Sequence, residues 1–135
     1  MPRRSGFDYK TLSEFRYQVR KFIKFSEDAA RRLGLNSQQH QLLLALKGLP
    51  DGTTPSIGVL AERLQVRHHS AVELLDRLAK RGFVARARDP RDRRSVLVHI
   101  TARGDTALRT LTRMHRKELH NAGPRLLAAL RTLVP

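Results

Sequence analysis

Residues 85–95 read ARARDPRDRRS, which sets Arg86, Arg88, Arg91, Arg93 and Arg94 around Asp89 and Asp92. Guanidinium groups at this density bind phosphate oxygens, each as a planar fork rather than a point charge. A purely electrostatic arm would not need the carboxylates. Asp92, two residues before Arg94, has the spacing to hold that guanidinium in a bidentate pair and aim it. Further back, Arg67, His68, His69, Ser70 and Val72 form a second group. His and Ser exchange hydrogen bonds with base edges or phosphates, and a Val methyl suits the methyl of thymine. Adjacent His68 and His69 diverge by about 100° on a helix, which fits neither joint reading of one base nor a metal pair. A Gly-rich phosphate loop, an HExxH pattern, a serine elbow and cysteine are all absent from the sequence, so binding rather than catalysis is expected.

These residues need elements to hold them. Ile57, Leu60 and Leu64 recur at three and four, and Ala71, Leu74, Leu75 and Leu78 do so on a second segment. That is one buried face on each of two short helices. Ser56 is a good N-cap for the first, and Gly82 closes the second because it tolerates the left-handed conformation. With the second helix packed on its apolar face, His69, Glu73, Asp76 and Lys80 point outward, flanked by Ser70, Val72 and Arg77. Phe83, Val84 and Ala85 begin a strand, and Val96, Val98 and Ile100 alternate with Leu97 and His99 as in a half-buried strand. The charged run between them is expected to be a basic loop, turning at Asp-Pro. Helix-turn-helix followed by a basic hairpin is a winged helix, and the N-terminal half of its second helix is the part that enters a major groove.

The flanks are helical. Leu12, Phe15, Val19, Phe22, Ala29 or Ala30, and Leu33 mark one long amphipathic helix ending near Gly34, with Tyr17 and Phe25 off its main stripe. Asn36 and Gln39 have capping-box spacing for the next helix, whose Leu42, Leu43, Leu44 and Leu46 leave little polar face and suggest a central position. GLPDGTTP is a loop. Thr101 caps a second long helix, whose buried stripe is Leu108, Leu111, Met114 or His115, Leu119 and Ala122. Gly123-Pro124 is expected to interrupt it and start another. Leu126, Leu127, Leu130, Leu133 and Val134 then form an apolar face with no obvious partner in so small a domain.

The run LLDRLAKRGFVARARDPRDRRSVLVHITARG resembles the multiple-antibiotic-resistance-regulator (MarR) family of transcription factors. It carries LDRL near the end of a recognition helix, a following Gly, a wing reading D-x-R-D-x-R, and Ile-Thr-x-x-Gly leading into the next helix. The resemblance implies a mainly α fold with a small β-hairpin wing: one domain over 1–135, with dimerisation helices at 8–34 and 101–134 around a winged helix-turn-helix at 35–100. It implies a homodimer on a pseudo-palindromic double-stranded DNA operator, a probing Arg at the wing tip in the minor groove (Arg94 here, oriented by Asp92), and phosphate contacts from neighbouring arginines. It also implies a cleft for a small aromatic or phenolic ligand, for which Arg16, Arg20, Phe22, Ile23, His40 and Leu44 are candidates. Their simpler reading is a solvated basic face and a core histidine. The chain departs from the family pattern twice. Arg67 stands where a Ser, Thr or Asp cap is usual, and Glu73 where a base-reading Arg is usual; an intramolecular partner, Arg77 or Arg63, is the favoured reading of Glu73.

Composition sets the outer bounds. The 135 residues hold 27 basic and 12 acidic side chains, a net charge of +15, which repels copies of the chain and attracts polyanions. Without cysteine there are no disulfides, thiolate metal sites or thiol redox sensing. The longest wholly apolar run, Leu42–Leu46, is too short for a bilayer, and MPRRSG lacks the apolar stretch of a signal, so a cytoplasmic protein with no membrane association and no cofactor is expected. The alternative is a basic architectural or RNA-associated protein without sequence readout. An aromatic content of 5% without Trp gives that reading no stacking platform for RNA bases.

Overall fold

In the computed structural model the described residues are 8–134; residues 1–7, which carry the MPRRSG segment, and Pro135 lie outside them. The apolar spacing yields helices α1 (Tyr9–Arg32), α2 (Ser37–Lys47), α3 (Ile57–Leu64) and α4 (His68–Lys80), then strands β1 (Val84–Asp89) and β2 (Asp92–Ile100), then helix α5 (Ala102–Leu133). The chain divides into two compact units, one holding Ala30–Leu111 and the other the described residues up to Ala29 and from Thr112 on.

The unit at Ala30–Leu111 is a winged helix. Its core is Leu35, Leu42, Leu43, Leu60, Ala71, Leu75, Leu78, Phe83, Val84, Val98, Leu108 and Leu111, all buried. The second-helix face read from the sequence is fully inside: Ala71, Leu74, Leu75 and Leu78 are all buried. The α2 leucines divide instead, with Leu42, Leu43 and Leu46 buried while Leu44 remains 43% exposed. One face of a helix cannot take in four of five consecutive residues, so the central position expected of α2 holds for one side of it only.

Helix ends follow local chemistry. Asn36 and Gln39 form the expected capping box, with Gln39 N–H donating to Asn36 Oδ1 at 2.8 Å and Asn36 N–H to Gln39 Oε1 at 2.9 Å. Ser56 Oγ accepts from Val59 N–H at 3.2 Å. Gly82, at φ +79°, lets Phe83 N–H reach Leu78 O (2.9 Å) and its own N–H reach Ala79 O (3.0 Å), which satisfies two of the last carbonyls of α4.

The hairpin is longer than the sequence suggested. β1 and β2 pair antiparallel from Val84↔Ile100 to Arg88↔Val96, with a register shift between Arg88 and Asp89 before the Asp89↔Asp92 pair. Pro90 and Arg91 alone make the turn, so most of the charged run belongs to strands. Ladder hydrogen bonds do not require an apolar face, and a hairpin whose side chains are solvated on both sides tolerates the arginines. At its base Leu97 bridges to Ser56, and Val98 N–H donates to Pro55 O at 2.9 Å. The loop before α3 thus anchors the wing.

The junction into α5 is the tightest in this unit. Thr101 Oγ1 accepts from Gly104 N–H at 3.1 Å and donates to Gly82 O at 2.6 Å. A Cβ on Gly104 would lie 2.2 Å from Phe83 O and 2.7 Å from an Ile100 side-chain carbon. The Ile-Thr-x-x-Gly pattern is therefore a steric requirement, with Thr as cap and Gly as the only residue that fits the crossing.

In the other unit, His115 Nε2 lies 2.8 Å from Ser26 Oγ, and its ring meets the edges of Phe22 and Phe25 at centroid distances of 5.8 and 5.4 Å. Tyr9, Leu12, Tyr17, Ile23, Leu119, Leu127, Leu130 and Val134 are exposed there by 42–75%. The expected break at Gly123-Pro124 does not occur, and α5 continues through Pro124. Proline's fixed φ suits a helix, and its missing N–H forfeits one bond, to the carbonyl of residue 120. His120 and Pro124 are both exposed, which leaves that carbonyl open to solvent, and Leu126, Leu127 and Ala128 favour helix on the far side.

Two substitutions should move stability in opposite directions in one denaturant titration. Gly104→Ala should destabilise by about 1–3 kcal/mol, because the neighbour that must give way is backbone. Arg67→Ser should stabilise by about 1 kcal/mol by supplying the side-chain cap that α4 lacks.

Candidate nucleic-acid interface

The surface that presents the recognition residues is made by the turn between α3 and α4. Gln65 adopts the left-handed conformation at φ 55°, ψ 45°. Its N–H donates to Glu62 O at 3.0 Å, Val66 N–H to Ala61 O at 3.0 Å, and its side-chain amide to Glu62 O at 2.8 Å and Glu62 Oε1 at 3.1 Å. This is the same closing motif as at Gly82, with Gln in the place that usually takes Gly. The side-chain bonds offset the roughly 1 kcal/mol that a Cβ costs there. Nothing in the sequence marks Gln65 for this role, because its conformational preference is the wrong one.

Helix α4 begins at His68. Arg67 occupies the cap position at φ −69°, ψ 153° and offers no side-chain hydrogen bond. Among the described residues the first-turn N–H groups of α4 thus lack a capping side chain, and a helix N-terminus left that way favours an anionic oxygen. Arg67, His68 and His69 are exposed, Ser70 and Val72 half-buried at the edges, and Glu73 and Arg77 exposed one turn on. The recognition-helix group predicted from sequence is therefore brought to one surface. Glu73 does not have the intramolecular partner expected of it: among the described residues it pairs with neither Arg63 nor Arg77. Two exposed side chains one turn apart gain little from pairing in water, so the entropy of ordering them prevails.

Arg86, Arg88, Arg91, Arg93 and Arg94 are all exposed on the hairpin. Arg88, Arg91, Arg93 and Arg94 make no ion pair among the described residues. Arg86 differs: its guanidinium pairs with the carboxylate of Asp76 on α4. The expected Asp92–Arg94 guanidinium pair is absent. Asp92 Oδ1 instead accepts from the backbone N–H of Arg94 at 3.0 Å, as Asp89 Oδ1 does from Arg91 N–H at 2.9 Å. A short carboxylate reaches the backbone two residues on before it can reach the end of a long side chain. The two acids therefore shape the turn and leave the guanidiniums unneutralised.

The six ligand-pocket candidates are distributed over both units. Arg16, Arg20 and Ile23 are exposed on α1, and Phe22 is half-buried against His115. In the winged-helix unit His40 is buried. Leu44 lines an open groove of about 360 Å³ with Gln41, Ala45, Gly48, Arg63 and Leu64, to which none of the other five candidates contributes.

Known proteins share these features. A MarR family model matches residues 33–95, from the end of α1 into β2. The transcriptional regulator YcgE of Bacillus subtilis, of helix-turn-helix type, is 32% identical over 95 residues. That alignment covers 70% of this chain and 60% of YcgE, so the chain spans under two thirds of that relative's length. Among solved structures, a mutant MepR of S. aureus bound to an oligodeoxyribonucleotide superposes with a TM-score of 0.68 at 20% identity, covering 95% of this chain and 96% of that one. A mutant MarR of E. coli complexed with operator DNA superposes equally well, at 0.68 and 21% identity, covering 89% and 90%. At such identities the structures speak for the fold, and the fold is the winged helix of those proteins. The wing motif, the Thr-x-x-Gly junction and the sequence kinship agree with it: over residues 33–95, its winged-helix part, this chain matches the MarR family.

Proposed function

We propose that the protein is a sequence-specific, DNA-binding transcription regulator that acts as a homodimer, a repressor released by a small anionic aromatic ligand, rather than an enzyme. The observation that carries this reading is a recognition helix with an uncapped, exposed N-terminus beside a hairpin whose Arg88, Arg91, Arg93 and Arg94 are unpaired among the described residues. Arg67, His68, His69, Ser70 and Val72 meet the major groove, with Arg77 at the phosphates. Glu73, exposed and without an internal partner among the described residues, accepts from a cytosine amino group. Arg94 enters the minor groove while Asp92 fixes the turn beneath it, and Arg88, Arg91 and Arg93 hold phosphates.

Support for the dimer comes from apolar surface. Exposed Tyr9, Leu12, Tyr17 and Ile23 on α1, with Leu119, Leu127 and Leu130 on α5, are more than a monomer ordinarily leaves in water. On this reading the domain is one functional whole, with outer helices for pairing and residues 35–100 for DNA. Two-fold symmetry sets half-sites roughly 34 Å apart. The ligand reading rests on Arg16 and Arg20, one turn apart on α1 and spaced to clamp a carboxylate. The regulator works where the chromosome is, in the cytoplasm; among the described residues no helix is long and apolar enough to cross a membrane.

Selection of duplexes from a random library by the purified protein tests the whole reading. A two-fold consensus is expected, whereas uniform retention would favour an architectural or RNA-associated role for the same charge. On the selected duplex, Arg94→Ala should weaken binding by about 1–3 kcal/mol and blunt discrimination; unchanged affinity would remove Arg94 from the interface. In sedimentation equilibrium the wild type should be dimeric, and a Leu127→Glu, Leu130→Glu double variant should shift toward monomer.

A further inference from the structure

Two arginines of β1 are equivalent in sequence. Arg86 and Arg88 stand two apart, on one face of the strand, and both are exposed. Of the two, only Arg86 meets an acid among the described residues. Asp76 projects from α4 two positions before the buried Leu78, on the outward side it shares with His69 and Glu73, and its carboxylate takes the Arg86 guanidinium. We propose that Asp76 is a positioning residue for DNA recognition: through Arg86 it ties the wing to the recognition helix, and it withholds Arg86 from the phosphates. The proposal rests on the DNA-binding reading above and makes Arg86, expected from the sequence to bind phosphate with its neighbours, a strut instead.

Three observations lead there. The pair joins the element proposed for the major groove to the element proposed for the minor groove, so its geometry sets the spacing at which both engage one duplex. The Leu97–Ser56 bridge and the Val98–Pro55 hydrogen bond hold β2 to the loop before α3, and Arg86, opposite Val98, ties the facing strand to α4 at the same level. Finally, the side chains of Arg86 and Asp76 are 40% and 44% exposed. A pair that open adds little to the stability of the free protein, yet near a duplex an unneutralised Asp76 would face phosphate repulsion. Its value appears in the complex.

The signs of the effects separate a strut from a contact. Salt titrations are run on wild type, Asp76→Asn, Arg86→Gln and Asp76→Glu, with a duplex selected by the wild type and a scrambled duplex, alongside thermal denaturation. If Arg86 is a strut, Asp76→Asn frees it for phosphate. Non-specific affinity then rises, the slope of log K against log salt steepens by roughly one, and the specific-to-scrambled ratio falls several-fold. Arg86→Gln lowers that ratio while leaving the slope at the wild-type value, and Asp76→Glu retains most of the discrimination. Melting temperatures change little throughout. The proposal is overturned if Arg86→Gln flattens the slope by about one, the mark of a lost phosphate contact, or if Asp76→Asn leaves both slope and ratio unaltered. A wild-type protein that does not distinguish the two duplexes overturns the DNA-binding reading itself, and the strut falls with it.

Discussion

The winged-helix unit depends on a backbone crossing with no room for a side chain. Gly104, in the first turn of α5, lies against the carbonyl of Phe83, and Thr101 joins the crossing by capping α5 and donating to the carbonyl of Gly82. Thr101 N–H also donates to Phe83 O at 3.2 Å. The end of α4, the start of β1, the end of β2 and the start of α5 are thereby fixed at one corner. Phe83 fills it, buried, with the guanidinium carbons of Arg81 and Arg103 at 5.0 and 4.6 Å from its ring centroid. Those arginines shield an aromatic ring with their stems and gain cation–π attraction while keeping their charge in solvent. The recognition helix is therefore rigidly held at its C-terminal end, leaving its N-terminal half to present side chains.

What could be read from the sequence was what depends on near neighbours along the chain. The Asn36–Gln39 box, the Ser56 and Thr101 caps, the Gly82 stop and the Ala71-Leu74-Leu75-Leu78 face are all written within four residues of where they act. What could not be read depended on competition between partners. Asp92 has two donors within reach, the Arg94 guanidinium and the Arg94 N–H, and chain geometry rather than composition selects the second. Glu73 has Arg77 one turn on in its own helix and Arg63 on the helix before, and pairs with neither among the described residues. Asp76 finds its arginine ten residues away, across a turn and on the strand that follows it. Pro124 looks like a break because local rules count the lost hydrogen bond but not the solvent that replaces it. Gln65 is the clearest case: its left-handed backbone is imposed by the α3–α4 turn against its own preference.

The distribution of acid explains more about the proposed interface than the net charge does. A basic surface alone adheres to any polyanion, and +15 on 135 residues would suffice for that. The carboxylates on this surface are used locally. Asp89 and Asp92 each bind a backbone N–H in the wing turn, which gives the hairpin a defined tip without consuming the charge of Arg91, Arg93 or Arg94. Asp76 neutralises one arginine at the root of the wing. The remaining positive charge is thus concentrated at the turn and at the outer end of the hairpin, on both of its faces. Elsewhere in the unit Asp105 serves a different end, pairing with Lys47 at 3.4 Å and with Arg109 at 2.9 Å and so tying the first turns of α5 to the end of α2.

Rigidity and charge are divided between the two ends of α4 for a physical reason. A well-capped N-terminus would satisfy its own N–H groups and lose its attraction for an anion, whereas a helix bare at one end must be stabilised elsewhere. Here the stabilisation sits at the C-terminal end, in the Gly82 closure and the Phe83 corner, and along the buried face of Ala71, Leu75 and Leu78. Arg67 at the cap position fits the same division. It adds a cation where a phosphate would lie, although the like-signed helix end makes that position unfavourable in the free protein. A residue that costs stability in isolation and lies on the face proposed to meet a polyanion is most simply understood as serving that meeting, because the duplex supplies the negative charge that the folded chain itself does not place there.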